Sequence, residues 1–200
     1  GQGVRVYDYP VGEPSILDTT AVGASNNFSG SCGQNNAPEK VFRYVNGFNA
    51  NLTFSVDHPE TLQNTMVYAR ASCASNTELG CSTGMAPDSK GSITLERVPP
   101  GEIFVFVDAR IGLGGDFKLS VDVERLPPGC SDLIDNDEDG FIDGDDVGCS
   151  TPEDEDERDP EAPTACADRV DNYEDGLTDY PWDPGCVMKG GDDETDPAQA

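Results

Sequence analysis

The sequence predicts a mostly β protein, in which an antiparallel, jelly-roll-like β-sandwich precedes irregular, disulfide-framed repeats. Two features of the first part carry this prediction. Short segments rich in β-branched and aromatic residues recur there, and turn-forming residues separate them. The third feature lies in the last part of the chain, where an acidic motif bounded by cysteines occurs twice.

The candidate strands all lie before residue 126. Leu52, Phe54 and Val56 alternate with polar residues, so one face of their strand can be buried. Turn formers such as "NGFN", "PPG" and "GLGG" punctuate the segments. The predicted strands cover residues 4–9, 40–45, 50–57, 65–72, 92–98, 102–110 and 116–124.

Charge divides the chain into two parts. Residues 1–126 hold 14 acidic and 9 basic side chains, a net charge of −5. Residues 127–200 hold 25 acidic and 3 basic side chains, a net charge of −22. The prolines and glycine of "LPPG" interrupt the strand pattern at this point, so we place a domain boundary between residues 126 and 127.

The formal net charge of −27 restricts the possible partners. Nucleic acid and anionic membranes would be repelled, whereas cations and basic partners would be attracted. No apolar run reaches the roughly 20 residues that a membrane helix needs. We therefore expect neither nucleic-acid binding nor a membrane span.

One segment formally resembles a hydrolase nucleophile. "GCSTG" at residues 80–84 matches the G-x-S-x-G pattern, which needs a preceding strand, a following helix and a histidine partner. The following "MAPDSKG" is a poor helix, and the chain contains a single histidine, His58. The sequence therefore predicts that the protein is not an enzyme.

Residues 25–125 resemble the bacterial pre-peptidase C-terminal domain. The resemblance rests on "APEKVFRYV", on "NTMVYARASC", on "GEIFVFVDAR" and on the closing "GDFKLSV". It implies a β-sandwich that is a non-catalytic appendage of a secreted or surface protein.

The cysteines indicate disulfides. None forms a CxxC pair, which argues against zinc, and their number in an acidic chain favours an oxidising compartment. We therefore expect a secreted, extracellular or cell-surface protein. Cys73 and Cys81 are close in sequence and predict a local disulfide, with two free thiols as the alternative; Cys32 is then left over. The seven cysteines are Cys32, Cys73, Cys81, Cys130, Cys149, Cys166 and Cys186.

The acidic part consists of two copies of one unit, residues 130–160 and 166–197. "CSDLIDNDEDGFIDGDDVGC" aligns with "CADRVDNYEDGLTDYPWDPGC", with one residue inserted, and both units end in an acidic cluster and Asp-Pro. A unit this small cannot build a sufficient core, so it needs covalent or metal cross-links. The simplest disulfides are Cys130–Cys149 and Cys166–Cys186, and pairing across the units also satisfies the sequence.

The first unit has the spacing of a calcium-binding loop. Calcium takes six to eight oxygens, which a loop supplies at alternate positions, with glycine at position 6 and a backbone carbonyl at position 7. Gly140 and Phe141 occupy positions 6 and 7. Position 12 is aspartate rather than the usual glutamate, which should weaken binding. The alternative is a solvated acidic run. The predicted ligands are Asp135, Asp137, Asp139, the Phe141 carbonyl, Asp143 and Asp146.

The second unit is a degraded copy of the first. Tyr173 replaces the carboxylate at position 3, so we expect a weaker site that borrows a ligand. Asp132 and Asp168, which align with each other, are candidates for such additional ligands, as are the acidic clusters at 154–157 and 192–194. The ligands that remain in the second unit are Asp171, Asp175, the Leu177 carbonyl, Asp179 and Asp183.

The two units resemble thrombospondin type 3 repeats and the cysteine-framed "DxDxDG" repeats of secreted bacterial proteins. The resemblance covers residues 130–197 and implies calcium (Ca²⁺) binding. We expect a secreted or cell-surface structural or adhesion protein, with a sandwich module on a calcium-rigidified connector. The alternatives are a carbohydrate- or matrix-binding module and a self-associating subunit of an extracellular filament.

Overall fold

The computed structural model describes residues 5–20, 26–33, 37–62, 64–84, 89–109 and 114–197. The chain divides into two compact units, Gly1–Arg125 and Leu126–Ala200. This division lies one residue before the boundary that the charge distribution and "LPPG" predict. No helix in the described part of the chain has the length and apolar character needed to cross a bilayer.

The described residues of the first unit form nine strands in two sheets. One sheet has the order β1-β3-β8-β5-β6 and the other β2-β9-β4-β7. Neighbouring strands are antiparallel, except that β1 runs parallel to β3. The strands are β1 (Val6–Asp8), β2 (Ser15–Thr19), β3 (Glu39–Asn46), β4 (Ala50–Ser55), β5 (Thr65–Arg70), β6 (Gly80–Ser82), β7 (Ser92–Val98), β8 (Gly101–Ala109) and β9 (Asp116–Arg125).

The predicted β-sandwich is confirmed. The core lies between the sheets, where alternate residues of each strand point inward as the period of a strand requires. Leu52, Phe54 and Val56 are fully buried, as their alternation predicts. They pack in one cluster with Val105 and Val107 of the opposite sheet. The parallel strand β1 departs from the predicted antiparallel arrangement.

The sheet that contains β8 is also covered on its outer face. Phe106 lies between the inward-facing Val105 and Val107, so it points away from the sandwich core and packs with Met66 and Tyr68. Residues 26–33 lie over this face, where Phe28 stacks edge-on against Phe106 at 5.0 Å. We call residues 26–33 the covering segment.

The predicted Cys73–Cys81 disulfide is wrong. Cys81 instead bonds to Cys32 of the covering segment, across a sequence separation of 49 residues, and Cys73 is a free thiol. The reason is the strand register: Cys81 in β6 lies opposite Tyr68 in the middle of β5, whereas Cys73 lies beyond the end of β5. Short separation along the chain therefore did not bring these two cysteines together.

The second unit has little regular structure. Its described residues form three short 3-10 turns, at Gly129–Ser131, Asp143–Asp145 and Ala165–Ala167. The predicted disulfides Cys130–Cys149 and Cys166–Cys186 are both present and confirm that pairing within each unit is preferred to pairing across units.

The two repeats pack against each other within this unit. Met188 of the second repeat is buried with the Cys130–Cys149 disulfide of the first. The Lys189 ammonium donates to the Asp145 carbonyl at 3.2 Å and lies 4.1 Å from the centre of the Phe141 ring. The second repeat therefore touches the segment that carries the acidic loop of the first.

Candidate cation sites

The loop of the first repeat is curled by its own carboxylates. The Asp135 carboxylate accepts the N–H of Asp139 at 3.2 Å and that of Gly140 at 3.0 Å. Gly140 has φ +101°, a left-handed conformation that side chains disfavour, and this explains the glycine at position 6. The N–H of Phe141 then donates to the Asp139 carboxylate at 2.8 Å. The chain therefore turns tightly around a set of carboxylates.

Five carboxylates converge in the first repeat. The ligand oxygens of Asp135, Asp137 and Asp139 lie within 4.8 Å of one another, and so do those of Asp139, Asp146 and Asp159. Asp139 belongs to both groups and joins them. Within each group, oxygen atoms at these separations have the spacing of ligands around one cation.

Asp146 is the buried member of this group. Its side chain is fully buried, and Oδ1 accepts the N–H of Gly148 at 2.6 Å. Oδ2 is buried without a hydrogen-bond partner among the described residues. Desolvation raises the pKa of Asp146 to about 6, with further increases from Asp139, Asp137 and Glu157, while the Gly148 N–H opposes the shift. A buried carboxylate oxygen without a donor is costly, and a cation would satisfy it.

The second repeat reproduces this arrangement with fewer carboxylates. Asp171 accepts the N–H of Asp175 at 3.2 Å and that of Gly176 at 2.9 Å. Ligand oxygens of Asp175, Asp183 and Asp196 lie within 4.8 Å of one another. Asp183 is buried like its counterpart Asp146, and its Oδ2 also lacks a partner among the described residues.

Desolvation and charge repulsion both act on a carboxylate of the second group. The pKa of Asp196 is raised, first by desolvation and then by the neighbouring carboxylates of Asp175 and Asp183. Tyr173, at the position that Asp137 holds in the first repeat, is exposed and contributes no carboxylate. The second group is therefore smaller than the first.

A buried glutamate holds each loop closed. Glu157 is 1% exposed and accepts two N–H groups, that of Asn136 at 2.6 Å and that of Asp143 at 2.8 Å. Glu194 does the same in the second repeat, for Asn172 at 2.7 Å and Asp179 at 3.0 Å. Both oxygens of each glutamate are occupied by the backbone, so these residues position the loop.

Glu157 also lies near Cys130 and Cys149, but those three residues are not a metal centre. The two sulfurs are joined to each other in a disulfide, so neither is available as a thiolate ligand.

Four predicted ligands accept backbone N–H groups and lie outside the two carboxylate groups. The carboxylate of Asp143 accepts the N–H of Asp132 at 3.1 Å, and that of Asp179 accepts the N–H of Arg169 at 3.0 Å. Asp132 and Asp168 each accept the N–H two residues ahead, at 2.9 and 2.8 Å. All four stabilise turns, and none belongs to the carboxylate groups found in the described residues. Their assignment as ligands is not supported by this arrangement.

Asp159 and Asp196 were not predicted, and Glu157 and Glu194 were predicted only as members of acidic clusters that could supply ligands. Asp159 and Asp196 contribute carboxylates to the two groups, and the glutamates hold the loops. A signal was available, because both units end in Glu-x-Asp-Pro. This segment lies beyond position 12 of the loop and folds back on it, so the loop spacing alone does not reach it.

The donor set is made of carboxylate oxygens. Aspartate oxygens suit hard cations such as Ca²⁺ and Mg²⁺, whereas zinc sites use cysteine and histidine. The residues present therefore fit a hard divalent cation.

The G-x-S-x-G segment begins in a strand. Gly80–Ser82 is β6, and Cys81 is held in the disulfide with Cys32. His58 Nε2 lies 2.8 Å from the Ser120 hydroxyl. Residues 85–88, where a helix would have to follow, lie outside the described residues.

No protein-family model matches the chain, and no curated protein matches it. Among solved structures it is similar to the pre-peptidase C-terminal domain of a collagenase from Bacillus anthracis, with 10% identity, 61% of this chain and 99% of that chain covered and a TM-score of 0.39. It is also similar to PliG, a periplasmic lysozyme inhibitor of g-type lysozyme from Aeromonas hydrophila, with 10% identity, 61% and 100% covered and a TM-score of 0.35. Likenesses at this level do not indicate a function.

Proposed function

We propose that this chain is a non-catalytic extracellular structural or adhesion protein. Its sandwich is a module attached to a connector, the unit Leu126–Ala200, which Ca²⁺ makes rigid. One observation carries the proposal: two carboxylate groups of the first repeat share Asp139, and one of them contains the fully buried Asp146, whose Oδ2 has no partner among the described residues.

Electrostatics explains why the connector requires a cation. Like charges at these separations repel in a partly buried site, and the pKa of Asp146 is raised first by desolvation and then by its acidic neighbours. A divalent cation would replace repulsion by attraction and fix the loop at the same time. The disulfides of each repeat constrain the same segment covalently. Together they supply the stability that the small hydrophobic cluster of this unit cannot provide.

Calcium fits the donor set better than magnesium. Ca²⁺ accepts six to eight oxygens in flexible geometry, whereas Mg²⁺ requires a tight octahedron and retains several waters. Five carboxylates in two groups joined by Asp139 suit the larger number. At millimolar extracellular calcium, a site with a dissociation constant of about 10⁻⁵ M gains about 2.7 kcal/mol by mass action. Three disulfides in the described residues support an oxidising, extracellular setting.

Calcium titration by calorimetry tests the proposal on the full chain. We expect binding in the wild type, lost from the first site in Asp146→Asn. Asp145→Asn is the matched control, because Asp145 is an exposed neighbour outside the carboxylate groups. EDTA should lower the melting temperature of the wild type and of the control. Absence of calcium binding, or equal binding by Asp146→Asn and Asp145→Asn, would contradict the proposal.

A further inference from the structure

The second repeat covers one face of the first repeat with three consecutive residues, Met188, Lys189 and Gly190, which we call the Met-Lys-Gly segment. Met188 is buried against the disulfide of the first repeat. The N–H of Lys189 donates to the Gly144 carbonyl at 3.2 Å, and the N–H of Gly190 donates to the Cys149 carbonyl at 3.0 Å. The covered face is therefore bound partly through backbone carbonyls.

The side chain of Lys189 adds a cation to this contact. Its ammonium donates to the Asp145 carbonyl at 3.2 Å and lies 4.1 Å from the centre of the Phe141 ring. A cation above an aromatic ring is attracted by the negative face of the ring. The segment that occupies this face thus combines an apolar side chain, a lysine ammonium and the N–H of a glycine.

The second repeat builds the same turn at the corresponding place. The N–H of Cys186 donates to the Asp183 carbonyl at 3.1 Å, as the N–H of Cys149 donates to the Asp146 carbonyl at 3.3 Å. In both turns, Oδ1 of the aspartate accepts the N–H two residues ahead, at 2.7 Å in the second repeat and 2.6 Å in the first. The turn around Asp183 therefore matches the turn that the Met-Lys-Gly segment covers.

The matching turn keeps its acceptors free. The carbonyls of Trp182 and Cys186 align with those of Asp145 and Cys149, which accept from the Met-Lys-Gly segment. No donor in the described part of the chain reaches the Trp182 or the Cys186 carbonyl. The second repeat thus presents two acceptors of the kind that the first repeat uses to hold its neighbour.

Exposed apolar side chains surround these acceptors. Trp182 is 78% exposed and Val187 is 71% exposed, and Pro184 between them is exposed as well. The aligned positions of Trp182 and Val187 hold the polar residues Asp145 and Ser150 in the first repeat. Exposed groups of apolar residues mark interaction sites, and tryptophan is enriched at protein interfaces. These three residues and the two free carbonyls form what we call the open face.

Charge defines what can cover the open face. Residues 127–200 carry a net charge of −22, so a cationic segment is attracted and an acidic one is repelled. The indole ring of Trp182 is the aromatic group that binds cations best, and it takes the role that Phe141 has in the first repeat. The chemistry of the open face therefore matches that of the Met-Lys-Gly segment.

We propose that the open face binds a segment of a partner polypeptide in which an apolar residue is followed by lysine and glycine. The glycine N–H donates to the Cys186 carbonyl, and the lysine ammonium is held by the carbonyl and the ring of Trp182. Met188 and Gly190 are buried within their own chain, so a second copy does not supply this segment. The partner is a different polypeptide, which takes the inference beyond the proposed function.

Fluorescence of Trp182 tests the proposal directly, because this is the single tryptophan of the chain. The probe is the peptide acetyl-Val-Met-Lys-Gly-Gly-amide, which copies residues 187–191, and it is titrated into the full chain. We expect a saturable blue shift of the tryptophan emission. The scrambled peptide acetyl-Gly-Lys-Val-Gly-Met-amide has the same charge but loses the paired hydrogen bonds, so it should bind about tenfold more weakly.

Anisotropy of a fluorescently labelled peptide measures the same binding in variants. Trp182→Ala should abolish it, and the high exposure of Trp182 means that this variant folds. Tyr173→Ala is the matched control, since it removes another exposed aromatic ring of the second repeat and should bind like the wild type.

Three outcomes would overturn the proposal. They are equal binding of the two peptides, undiminished binding by Trp182→Ala, and no binding of the copied peptide, whether or not an oligosaccharide such as cellohexaose binds at Trp182. All titrations contain millimolar calcium, and the peptide is the only component varied. A failure of the proposed calcium function, which is measured by calorimetry, therefore remains distinguishable from a failure of this inference.

Discussion

The N–H of Gly190 in the second repeat donates to the carbonyl of Cys149 in the first repeat, at 3.0 Å. The two backbones approach so closely that a Cβ at position 190 would lie 2.3 Å from the Cys149 oxygen and 2.4 Å from the Val147 oxygen. Only glycine fits there without a shift of the backbone. Val147 and Cys149 follow the buried Asp146 by one and three residues. This contact therefore links the second repeat to the first cation site.

Gly190→Ala should therefore separate the repeats. The added methyl group meets backbone oxygens that cannot move independently, and we expect a loss of about 1–3 kcal/mol in the free energy of unfolding. Chemical denaturation of the full chain in calcium measures it. Gly144→Ala is the matched control, because its Cβ would meet only side-chain atoms, at 3.5 and 3.6 Å. Equal stability of the two variants would contradict the role of this contact.

Glu157→Gln should weaken calcium binding without removing a ligand. Glutamine offers one acceptor oxygen in place of two and turns an N–H₂ group towards one of the N–H donors of Asn136 and Asp143. We expect a loss of stability of about 1–3 kcal/mol from the unsatisfied donor. Calcium affinity should fall by about 10–100-fold, as for other residues that orient ligands.

Calorimetry and thermal unfolding of the same variant separate these two effects. Glu153→Gln is the control, since Glu153 is an exposed acid of the same segment. An affinity loss no larger than that of the control would show that Glu157 does not position the loop.

Local patterns predicted most of the fold, and contacts distant in sequence account for what was missed. The alternation around Leu52 and Phe54 reports burial directly, because side chains of a strand alternate between faces. Cys32 gave no such signal, since its position over β6 depends on the course of the covering segment. Asp159 reaches the first loop from beyond the disulfide, so loop spacing could not identify it. Asp143 shows the converse: its spacing matched a ligand, but its carboxylate binds backbone N–H groups.

Loss of the Cys32–Cys81 disulfide should cost more stability than replacement of the free thiol of Cys73. It closes a loop with a separation of 49 residues, for which the chain-entropy model gives about 4 kcal/mol. The variant Cys32→Ser/Cys81→Ser should unfold at a markedly lower temperature. Cys73→Ser, which breaks no disulfide, should remain close to the wild type. Similar melting temperatures for the two variants would contradict this assignment.

Thiol counting gives a second test of the same pairing. The unreduced, denatured chain should contain one reactive thiol, that of Cys73. In the native chain this thiol should react slowly with alkylating reagents at neutral pH, because desolvation raises its pKa and the thiolate is the reactive form. Peptide mapping after alkylation should locate the label on Cys73; a label on Cys32 would refute the pairing.

Tyr173→Asp should strengthen the second cation site. The second group brings together three carboxylates where the first brings five, and Tyr173 stands where the first repeat has Asp137. Its side chain is 54% exposed, so replacing it removes little packing. A restored carboxylate adds a charged oxygen ligand, and we expect calcium to bind about tenfold more tightly, which corresponds to about 1.4 kcal/mol.

Calorimetry in an Asp146→Asn background isolates the second site. Tyr173→Asn is the control, since it removes the ring without adding a charge; if both variants bind calcium equally, the missing carboxylate is not what limits the second site.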